Sequence, residues 1–584
     1  MRGDDDRRLE RAALDGRIAF VMAGIAIAGA LVALLDRIGA PERLVAALGP
    51  AMTLIGLCIG GVMLRTMRIS RFYAGGRDIP PPYAGLATAA IAAGIALPFA
   101  PPTGDMTSGA GVFAGLAGGL AAAALVSGPY LRKTGAFSAP DLIAARFPGA
   151  PLRLAVAALA ALCAAMTALA GLEMASFGLS TIAGIGRPAA AILLAATLLL
   201  FAAPGGLSAT VWGAAAAGGL FAAAYALPVL LLWARGEPPA LPVFGDEQAW
   251  TAAMQRIAAW QGPHSQSANL WLSAAMAFGM GCLGPLIAPL TTARNETSAL
   301  ASGAVALVWG TILAAVVAAT IAGSATLLSE GATGRAPGRL PDTIYAASAT
   351  GLVSICGASA GTAAKAEAAC RATIPPPGLI RASDIHTRGG FLLTALPPLA
   401  GLGAAQAGFV FAGAIALGLA LAAAGFMSFA AALGNDAFYR LRDQTALTSR
   451  RLAITRALLA GGVVFGAALV GMREFDPRVL IGLAIALAAA GIAPCLALTA
   501  WRRAGAIQAQ IAFVAGLVAA FAVFAFVPNT IENLAFAAVC GAAAGLAAGI
   551  GAGYLLPNRD AQAADDFVSA LMRPGETLSP DKGA

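Results

Sequence analysis

Long apolar stretches recur along the whole chain, separated by short polar gaps, and they constrain its fold more than any other feature. About fourteen of them approach the roughly 20 apolar residues that a helix needs to cross about 30 Å of hydrocarbon. Charged residues make up only 11% of the 584 residues and hydrophobic residues 59%, which leaves too little polar surface to cover a soluble protein of this size. The sequence therefore predicts an all-α integral membrane protein surrounded by the lipid bilayer.

The predicted spans are 18–36, 44–64, 83–100, 108–130, 151–180, 188–203, 209–233, 269–292, 299–328, 407–434, 453–472, 479–500, 507–527 and 531–555. Lys and Arg are concentrated in the short segments on the same side as the N-terminus, which by the positive-inside rule predicts that both termini are cytoplasmic. No cleavage site of small residues follows the first span, so we interpret it as a retained helix. We expect the protein in a bacterial inner membrane.

Cysteine and histidine give no sign of a metal site or of catalysis. The seven cysteines are odd in number and dispersed, which predicts small buried side chains and neither a disulfide framework nor a zinc site. His264 and His386 are expected in loops far apart in sequence, so neither a metal site nor a Ser-His pair is predicted. Because only short segments lie outside the bilayer, we expect no enzyme, no cofactor of its own and no nucleic acid partner.

Six segments between residues 71 and 436 form an ordered series of landmarks. They are Arg71–Pro82 (RFYAGGRDIPPP), Tyr83–Thr88, Pro129–Asp141, Gly205–Trp212, Phe278–Thr292 and Phe411–Asp436. In this order they resemble the solute:sodium symporter family, and in particular its acetate and monocarboxylate permease branch. The resemblance covers about residues 40–505.

The resemblance implies a transporter core of two inverted five-helix repeats, with two extra helices at each end. The expected domains are a cytoplasmic segment 1–17, two accessory helices in 18–64, core helices 1–5 in 83–233, core helices 6–10 in 269–500 with an extra-membrane loop 329–406, two C-terminal helices in 507–555 and a cytoplasmic tail 556–584. In such repeats the first helix of each half is broken near the midplane, where freed backbone groups bind ion and substrate. Helix breakers stand at matching places in core helices 1 and 6: Gly85, Gly94, Pro98, Gly279, Gly281, Gly284 and Pro285.

The resemblance also implies a cation site between core helices 1 and 8. Its ligands in the family are backbone carbonyls at the positions of Ala90, Ala93 and Leu417 and two hydroxyl side chains at the positions of Ala420 and Leu421. Methyl groups cannot replace the oxygen atoms for which a hard cation such as Na⁺ exchanges its water shell. The site is therefore expected to be degraded, and sodium coupling stays open.

Candidates for the substrate cavity are few, because several polar positions of the family are apolar here. They are Ile91, Gly94, Glu173, Trp212, Cys282 and Gly284. An intramembrane carboxylate such as Glu173 is a functional candidate by default. It also fits a structural role near the outer interface, since it follows Arg153 by about one membrane span. Ser428 lies about two turns along core helix 8 from the ion position, too far to supply a missing hydroxyl.

We expect a carrier of a small organic anion, a monocarboxylate such as acetate, that works by alternating access. One alternative is a non-transporting relative that serves as a sensor, regulatory subunit or assembly partner, which the loss of polar lining favours. Another is proton-driven transport of a more apolar solute with Glu173 as the proton carrier. The last predicted helix carries a stripe of small residues, Gly541, Gly545, Gly549 and Gly553. This stripe predicts either helix packing or a contact between two copies of the chain.

Overall fold

A computed structural model describes most of the chain as a bundle of long helices. The described residues are 16, 23–24, 26–27, 29–100, 109–236, 247–261, 266–349, 351–371, 378–387, 390–443, 445–527, 531–558 and 561–573. Within these ranges eleven helices are long and apolar enough to cross a membrane, or twelve when the bent pair Ser267–Met280 and Gly284–Thr292 counts as one span. The first predicted span, 18–36, lies mostly outside the described residues, and its described end, 29–37, is helical.

The α-helices are Glu42–Met63, Ile69–Ala74, Pro81–Ala96, Gly109–Ala122, Gly128–Thr134, Ala139–Arg146, Ala150–Ala183, Arg187–Ala234, Glu247–Gln261, Gln266–Met280, Gly284–Ile287, Glu296–Ala332, Asp342–Ala349, Ala363–Cys370, Phe391–Thr394, Leu396–Leu399, Ala404–Ala431, Thr448–Met472, Pro477–Leu487, Ala493–Leu498, Ala506–Phe526, Ile531–Leu555 and Ala561–Met572. Three π-helical segments continue them, Ala123–Ser127, Ala432–Tyr439 and Ala488–Ile492. Short 3₁₀ turns are Gly75–Arg77, Leu97–Phe99, Ala288–Thr292, Pro337–Arg339 and Ala382–Asp384.

Nine of these spans supply the ten core helices, because Arg187–Ala234 supplies two, and we number the helices by their place in the two repeats. Core helices 1, 2 and 3 are Pro81–Phe99, Gly109–Thr134 and Ala150–Ala183, and core helices 4 and 5 are the two parts of Arg187–Ala234 on either side of Gly206. Core helix 6 is the bent pair, and core helices 7, 8, 9 and 10 are Glu296–Ala332, Ala404–Tyr439, Thr448–Met472 and Pro477–Leu498.

The core helices pack in the pattern of an inverted repeat. Core helix 1 packs on core helix 7 and core helix 2 on core helix 6, while core helix 5 packs on core helix 8 and core helix 10 on core helix 3. When the two halves are exchanged, the contact between core helices 1 and 7 becomes the one between core helices 6 and 2. In the same way the contact between core helices 5 and 8 becomes the one between core helices 10 and 3. The contact between core helices 3 and 8 is converted into itself. Glycines permit the close approaches, for example Gly85 against Ser302 and Gly171 against Gly418. This is the predicted fold class, and the domain boundaries given above stay predictions.

Core helices 4 and 5 fold against each other through a sharp break at Gly206. Its φ of 59° and ψ of −141° interrupt a helix that otherwise runs from Arg187 to Ala234. In a straight helix Phe201 and Gly213 would lie about 18 Å apart, yet the Phe201 ring occupies the place where Gly213 would carry a Cβ. A Cβ at Gly206 would lie 2.7 Å from the carbonyl oxygen of Phe72, so glycine is required there for its conformation and for space.

A single arginine of core helix 9 fastens this bend to the end of the accessory helix Glu42–Met63. Arg456 donates from Nε to the carbonyl of Ala203 at 3.1 Å and from Nη2 to the carbonyls of Thr66 at 2.5 Å and Pro204 at 3.2 Å. Its guanidinium carbon lies 5.3 Å from the centre of the Phe72 ring. The accessory helix is therefore bound to core helices 4 and 9.

The segment between core helices 7 and 8 contains the only β-strands of the described residues and a disulfide bond. Strands β1 (Val353–Ile355) and β2 (Ile385–Thr387) pair antiparallel, and Cys356 is joined to Cys370. The expectation that the cysteines form no disulfide was thus wrong for one pair, because a turn after β1 brings Cys356 to the end of the helix Ala363–Cys370. His386 lies on β2 and not in a loop, and His264 lies outside the described residues.

One further expectation needs correction, and for the glycine stripe the structure shows the helix-packing alternative. Core helix 1 has no break near its middle: it runs without interruption from Pro81 to Ala96, and Pro98 lies in the 3₁₀ turn that ends it. The glycine stripe on the last helix faces the chain's own helices, since a Cβ at Gly541 would lie 2.5 Å from the Cβ of Ala490. Its neighbours along the stripe meet Ala512, Leu498 and Trp501 in the same way. The stripe therefore packs within one chain. Formation of a homo-oligomer stays a prediction, and its contact would have to lie on another surface.

Candidate functional site

The predicted ion position is a close, apolar contact between core helices 1 and 8. A Cβ at Gly94 would lie 3.3 Å from the Cβ of Leu421 and 3.7 Å from the carbonyl oxygen of Leu417. Ala90, Ala93, Leu417, Ala420 and Leu421 are all buried, and the methyl group of Ala90 would lie 3.0 Å from a Cβ on Gly218 of core helix 5. The structure thus brings Gly94, Leu417 and Leu421 together and surrounds them with methyl and methylene groups.

The threonine hydroxyls of core helices 1 and 5 bond within their own helices. Thr88 donates to the carbonyl of Ala84 at 2.8 Å, and Thr210 donates to the carbonyl of Gly206 at 3.0 Å. Such bonds satisfy the hydroxyl in an apolar environment without creating a ligand for an ion. Whether any cation binds between core helices 1 and 8 stays a prediction.

Core helix 6 is broken as expected. Its two parts meet at a bend of 62° over residues 281–283, where the glycines around Gly281 allow the chain to leave the helix. Ser127, on the π-helical part of core helix 2, donates its hydroxyl to the carbonyl of Gly281 at 2.6 Å. Cys282 lies in the bend and is buried. The break therefore supplies backbone groups that lie outside the regular helical pattern, one of which is already bonded.

Ser428 lies beside this break. A Cβ at Gly284 would lie 3.3 Å from the Cβ of Ser428 and 3.5 Å from its Oγ atom, and both residues are half-buried. Ser428 is the only hydroxyl residue between Phe411 and Asp436, which is a signal that the sequence offered. Its distance from the ion position along core helix 8 was predicted correctly, but its proximity to core helix 6 depends on the bend and was missed.

Trp212 and Ile91 belong to the apolar packing around this region. The Trp212 ring lies 4.8 Å from the ring of Tyr83, so the two aromatic residues connect core helices 5 and 1. Ile91 is fully buried in the same apolar cluster as Leu421 and Cys282. These residues shape the contact between the helices.

Glu173 points away from the contact between core helices 1 and 8. It lies two residues beyond Gly171, which faces core helix 8, and therefore about 200° around core helix 3. Its Oε1 accepts from Arg187 at 2.6 Å, and Arg187 also contacts Glu474 at 2.7 Å. The structure thus does not bring Glu173 together with Gly94 or Gly284, and its observed contact is an ion pair at the ends of core helices 3, 4 and 9.

Two buried hydroxyls close to the site have no hydrogen-bond partner among the described residues. They are Tyr225 Oη on core helix 5 and Ser324 Oγ on core helix 7. Tyr225 stacks on Phe221 with 4.2 Å between the ring centres and belongs to the buried cluster that contains Ala93 and Leu417. An unsatisfied hydroxyl in an apolar interior is unfavourable by about 1–3 kcal/mol, so both atoms are candidate contacts for a polar solute.

A polar cluster closes the end of the bundle at which core helix 8 ends. Asp436 accepts from the Ser138 hydroxyl at 2.5 Å and from the Asn435 amide at 2.6 Å, and Arg451 donates to the Asn435 side chain. The Arg451 guanidinium carbon also lies 3.9 Å from the ring centre of Tyr439. The residues come from three chain segments, so sequence spacing alone could not join them.

Tyr73 completes this cluster from the segment before core helix 1. Its hydroxyl lies 2.5 Å from the Thr455 hydroxyl, and the Arg451 guanidinium carbon lies 5.1 Å from its ring centre. Burial raises the pKa of Tyr73, although the hydrogen bond to Thr455 and the nearby Arg451 act in the opposite direction. The tyrosine is therefore a neutral hydrogen-bonding partner at physiological pH.

Comparisons with known proteins agree with this architecture. Residues 72–339 match the sequence model of the sodium:solute symporter family. A stretch of 141 residues is 32% identical to an uncharacterized symporter of Cupriavidus necator; it covers 24% of this chain and 21% of that relative, so the match spans about a fifth of the relative's length.

Among solved structures, a substrate-bound, outward-open structure of a Na⁺-coupled sialic acid symporter is similar in fold. It superimposes with a TM-score of 0.62 at 14% sequence identity, over 89% of this chain and 98% of that one. At this identity the likeness establishes the fold. Residues 72–339 thus resemble the sodium:solute symporter family in sequence, and the chain shares the fold of the solved symporter over 89% of its length.

Proposed function

We propose that the chain carries a small monocarboxylate, such as acetate, by alternating access and without a Na⁺ ion at the position between core helices 1 and 8. The observation that carries the second part is the placement of Gly94 against the side chain of Leu421 and the carbonyl of Leu417. The first part rests on the symporter-type fold and on the ordered resemblance to the monocarboxylate permease branch.

The absence of sodium coupling follows from the chemistry of the contact. A hard cation binds where several oxygen atoms replace its water shell. At the positions where two hydroxyls are expected, Ala420 and Leu421 present only carbon atoms, and both are buried. The backbone carbonyls of core helices 1 and 8 alone make an incomplete set of ligands for Na⁺. The free energy that Na⁺ loses when it gives up its water shell is therefore not recovered there.

The polar groups near the break in core helix 6 support a small solute. Ser428 is half-buried beside Gly284, and a glycine at that place leaves room next to the serine hydroxyl. Tyr225 Oη offers a second hydroxyl within the apolar cluster that contains Ala93. Hydroxyl donors of this kind are suited to a carboxylate, and an apolar surrounding is suited to its short alkyl group.

The proposal is tested by uptake of labelled acetate into liposomes that contain the purified chain, with and without an inward Na⁺ gradient. We expect uptake above that of empty liposomes and no stimulation by Na⁺. Ser428→Ala should reduce uptake, whereas Thr311→Ala is a matched control, because the Thr311 hydroxyl is exposed and bonds to the carbonyl of Leu307 in its own helix. No uptake under either condition would refute the carrier, and stimulation by Na⁺ would refute the sodium-independent part.

A second candidate is a symporter-like sensor, regulatory subunit or assembly partner that does not transport. The methyl-lined contact between core helices 1 and 8 favours it, because an ion-driven cycle has no ion to bind there. This candidate predicts that acetate or a related anion raises the melting temperature of the chain while vesicle uptake stays at the level of empty liposomes.

The disulfide supports an outward location for the segment between core helices 7 and 8. Disulfides persist in oxidising compartments such as the bacterial periplasm, and Cys356–Cys370 lies in that segment. The predicted order of spans also places loop 329–406 outside when the N-terminus is cytoplasmic. Labelling of these two cysteines in intact cells, after mild reduction, with a maleimide that does not cross the membrane tests this orientation; labelling only after lysis would reverse it.

A further inference from the structure

A second candidate site lies at the end of the bundle where core helix 3 begins and core helix 8 ends. It is a cavity of about 300 Å³, at the lower end of the volumes that hold small ligands. We call it the arginine pocket, and its lining consists of Ala144, Pro148, Gly149, Ala150, Arg153, Arg440 and Leu441. Both charged residues of this lining are arginines.

The charged side chains that line the arginine pocket are both positive, and their carboxylate partners lie behind the lining. Arg153 and Arg440 both approach the same atom, Oδ1 of Asp141, at 3.8 Å and 3.6 Å. These distances are longer than those of charge-assisted hydrogen bonds. Asp141 is buried and does not belong to the pocket lining. Asp436, which interacts electrostatically with Arg153, is likewise buried and outside the lining, so the lining presents two guanidinium groups and no carboxylate to an anion.

The first turn of core helix 3 adds backbone donors to the same pocket. Gly149 precedes this helix of 34 residues without a side-chain cap, and Pro151 has no N–H group. The first helical hydrogen bond runs from the amide of Arg153 to the carbonyl of Gly149 at 3.2 Å. The amides of Ala150 and Leu152 precede this bond and therefore have no acceptor within the helix. The positive end of the helix dipole thus coincides with the two arginines.

We propose that the arginine pocket binds a phosphate group, either that of an anionic phospholipid of the bilayer or free phosphate from solution. The planar guanidinium groups match the geometry of phosphate oxygens, and Arg153 and Arg440 approach from two helices. Leu441, which lines the pocket, and Leu154, which follows Arg153, are both exposed. A phospholipid can therefore place its phosphate on the arginines and its acyl chain on neighbouring apolar side chains.

The test measures how the full-length chain in nanodiscs selects lipids. Native mass spectrometry compares retention of phosphatidylglycerol with that of phosphatidylcholine. We expect preferential retention of phosphatidylglycerol, and a loss of at least about tenfold in apparent affinity when Arg153→Gln and Arg440→Gln are combined, which corresponds to about 1.4 kcal/mol. Arg450→Gln is the matched control, because it removes a positive charge at the same end of the bundle from an exposed side chain that pairs with Asp443.

A second measurement uses the wild-type chain and does not depend on the folding of a variant. Phenylglyoxal modifies accessible arginines, and bound phosphate should protect Arg153 and Arg440 but not Arg450. Protection by phosphatidylglycerol and not by inorganic phosphate identifies the lipid as the source, and protection by inorganic phosphate alone identifies the soluble anion. Equal modification with and without both probes, or equal lipid selection by the double variant and the wild type, would overturn the proposal.

Discussion

Replacing Gly171 with alanine should separate core helices 3 and 8 at the centre of the helix bundle. The new Cβ would lie 2.6 Å from the amide nitrogen of Ala422 and 2.6 Å from the carbonyl oxygen of Gly418. Favourable contacts of a carbon atom begin near 3.5 Å, so the two helices must move apart by about 1 Å. Both neighbours are backbone atoms, and a change of side-chain rotamer cannot relieve the clash. Gly425, which meets Ala168 one turn further on, would lose its close contact as well.

The magnitude follows from two opposing terms. Overpacking of this kind costs about 1–3 kcal/mol, and the higher helix propensity of alanine returns up to about 1 kcal/mol. The matched control is Gly219→Ala on core helix 5, where nothing lies within 4 Å of the added atom. We expect the control to be neutral or slightly stabilising and Gly171→Ala to be less stable than the control by roughly 1–3 kcal/mol.

Thermal unfolding in detergent, followed with a thiol-reactive dye, measures this difference. Cys163 on core helix 3 is buried and should become reactive when the helix bundle unfolds. A melting temperature of Gly171→Ala equal to or above that of Gly219→Ala would refute the close-packed contact. The same variant should also lower acetate uptake, because the two helices must keep a fixed geometry through the transport cycle.

Three further predictions concern the ion position, the outer segment and the buried carboxylate. Ala420→Ser combined with Leu421→Ser supplies both missing hydroxyls, so uptake should become stimulated by Na⁺; a folded double variant that ignores Na⁺ would contradict the ligand argument. Replacing Cys356 and Cys370, which are 14 residues apart, with serine should lower the free energy of unfolding by about 3 kcal/mol relative to the oxidised wild type, measured by denaturant titration. The reduced wild type is the control and should have the same stability as the variant. Glu173→Gln should lower the melting temperature because it breaks an ion pair, and should leave the pH dependence of uptake unchanged; loss of that dependence would favour the proton carrier.

Much of the fold could be predicted from the sequence because the bilayer leaves few alternatives to helices. Long apolar stretches indicated the spans, and the glycines around Gly281 marked the break in core helix 6. Gly94 misled the same reasoning in core helix 1. A glycine can break a helix or let a neighbouring helix approach, and here it provides space for Leu421 in an unbroken helix. Sequence alone does not distinguish these two uses.

The candidate site was predictable only in part. The register of Leu417 and Leu421 follows from counting along core helix 8, and the structure brings both residues to Gly94. The proximity of Ser428 to Gly284 could not be found by counting residues, since it depends on the 62° bend of core helix 6. The disulfide was missed for a similar reason: Cys356 and Cys370 approach each other through a turn and a short helix, which seven scattered cysteines do not reveal.

The arginine that ties the accessory helix to the bend at Gly206 has a consequence for biosynthesis. Arg456 follows Thr66 by 390 residues and Pro204 by 252. At about 5–20 residues per second, a ribosome needs roughly 20–80 s to progress from Thr66 to its donor. During that interval the carbonyl of Thr66 must find a temporary partner, in water or in the insertion machinery, whereas the carbonyl of Pro204 can already accept from the amide of Thr66 at 3.1 Å. The N-terminal half of the chain is therefore inserted early but reaches its final hydrogen bonding only after core helix 9 has been synthesised.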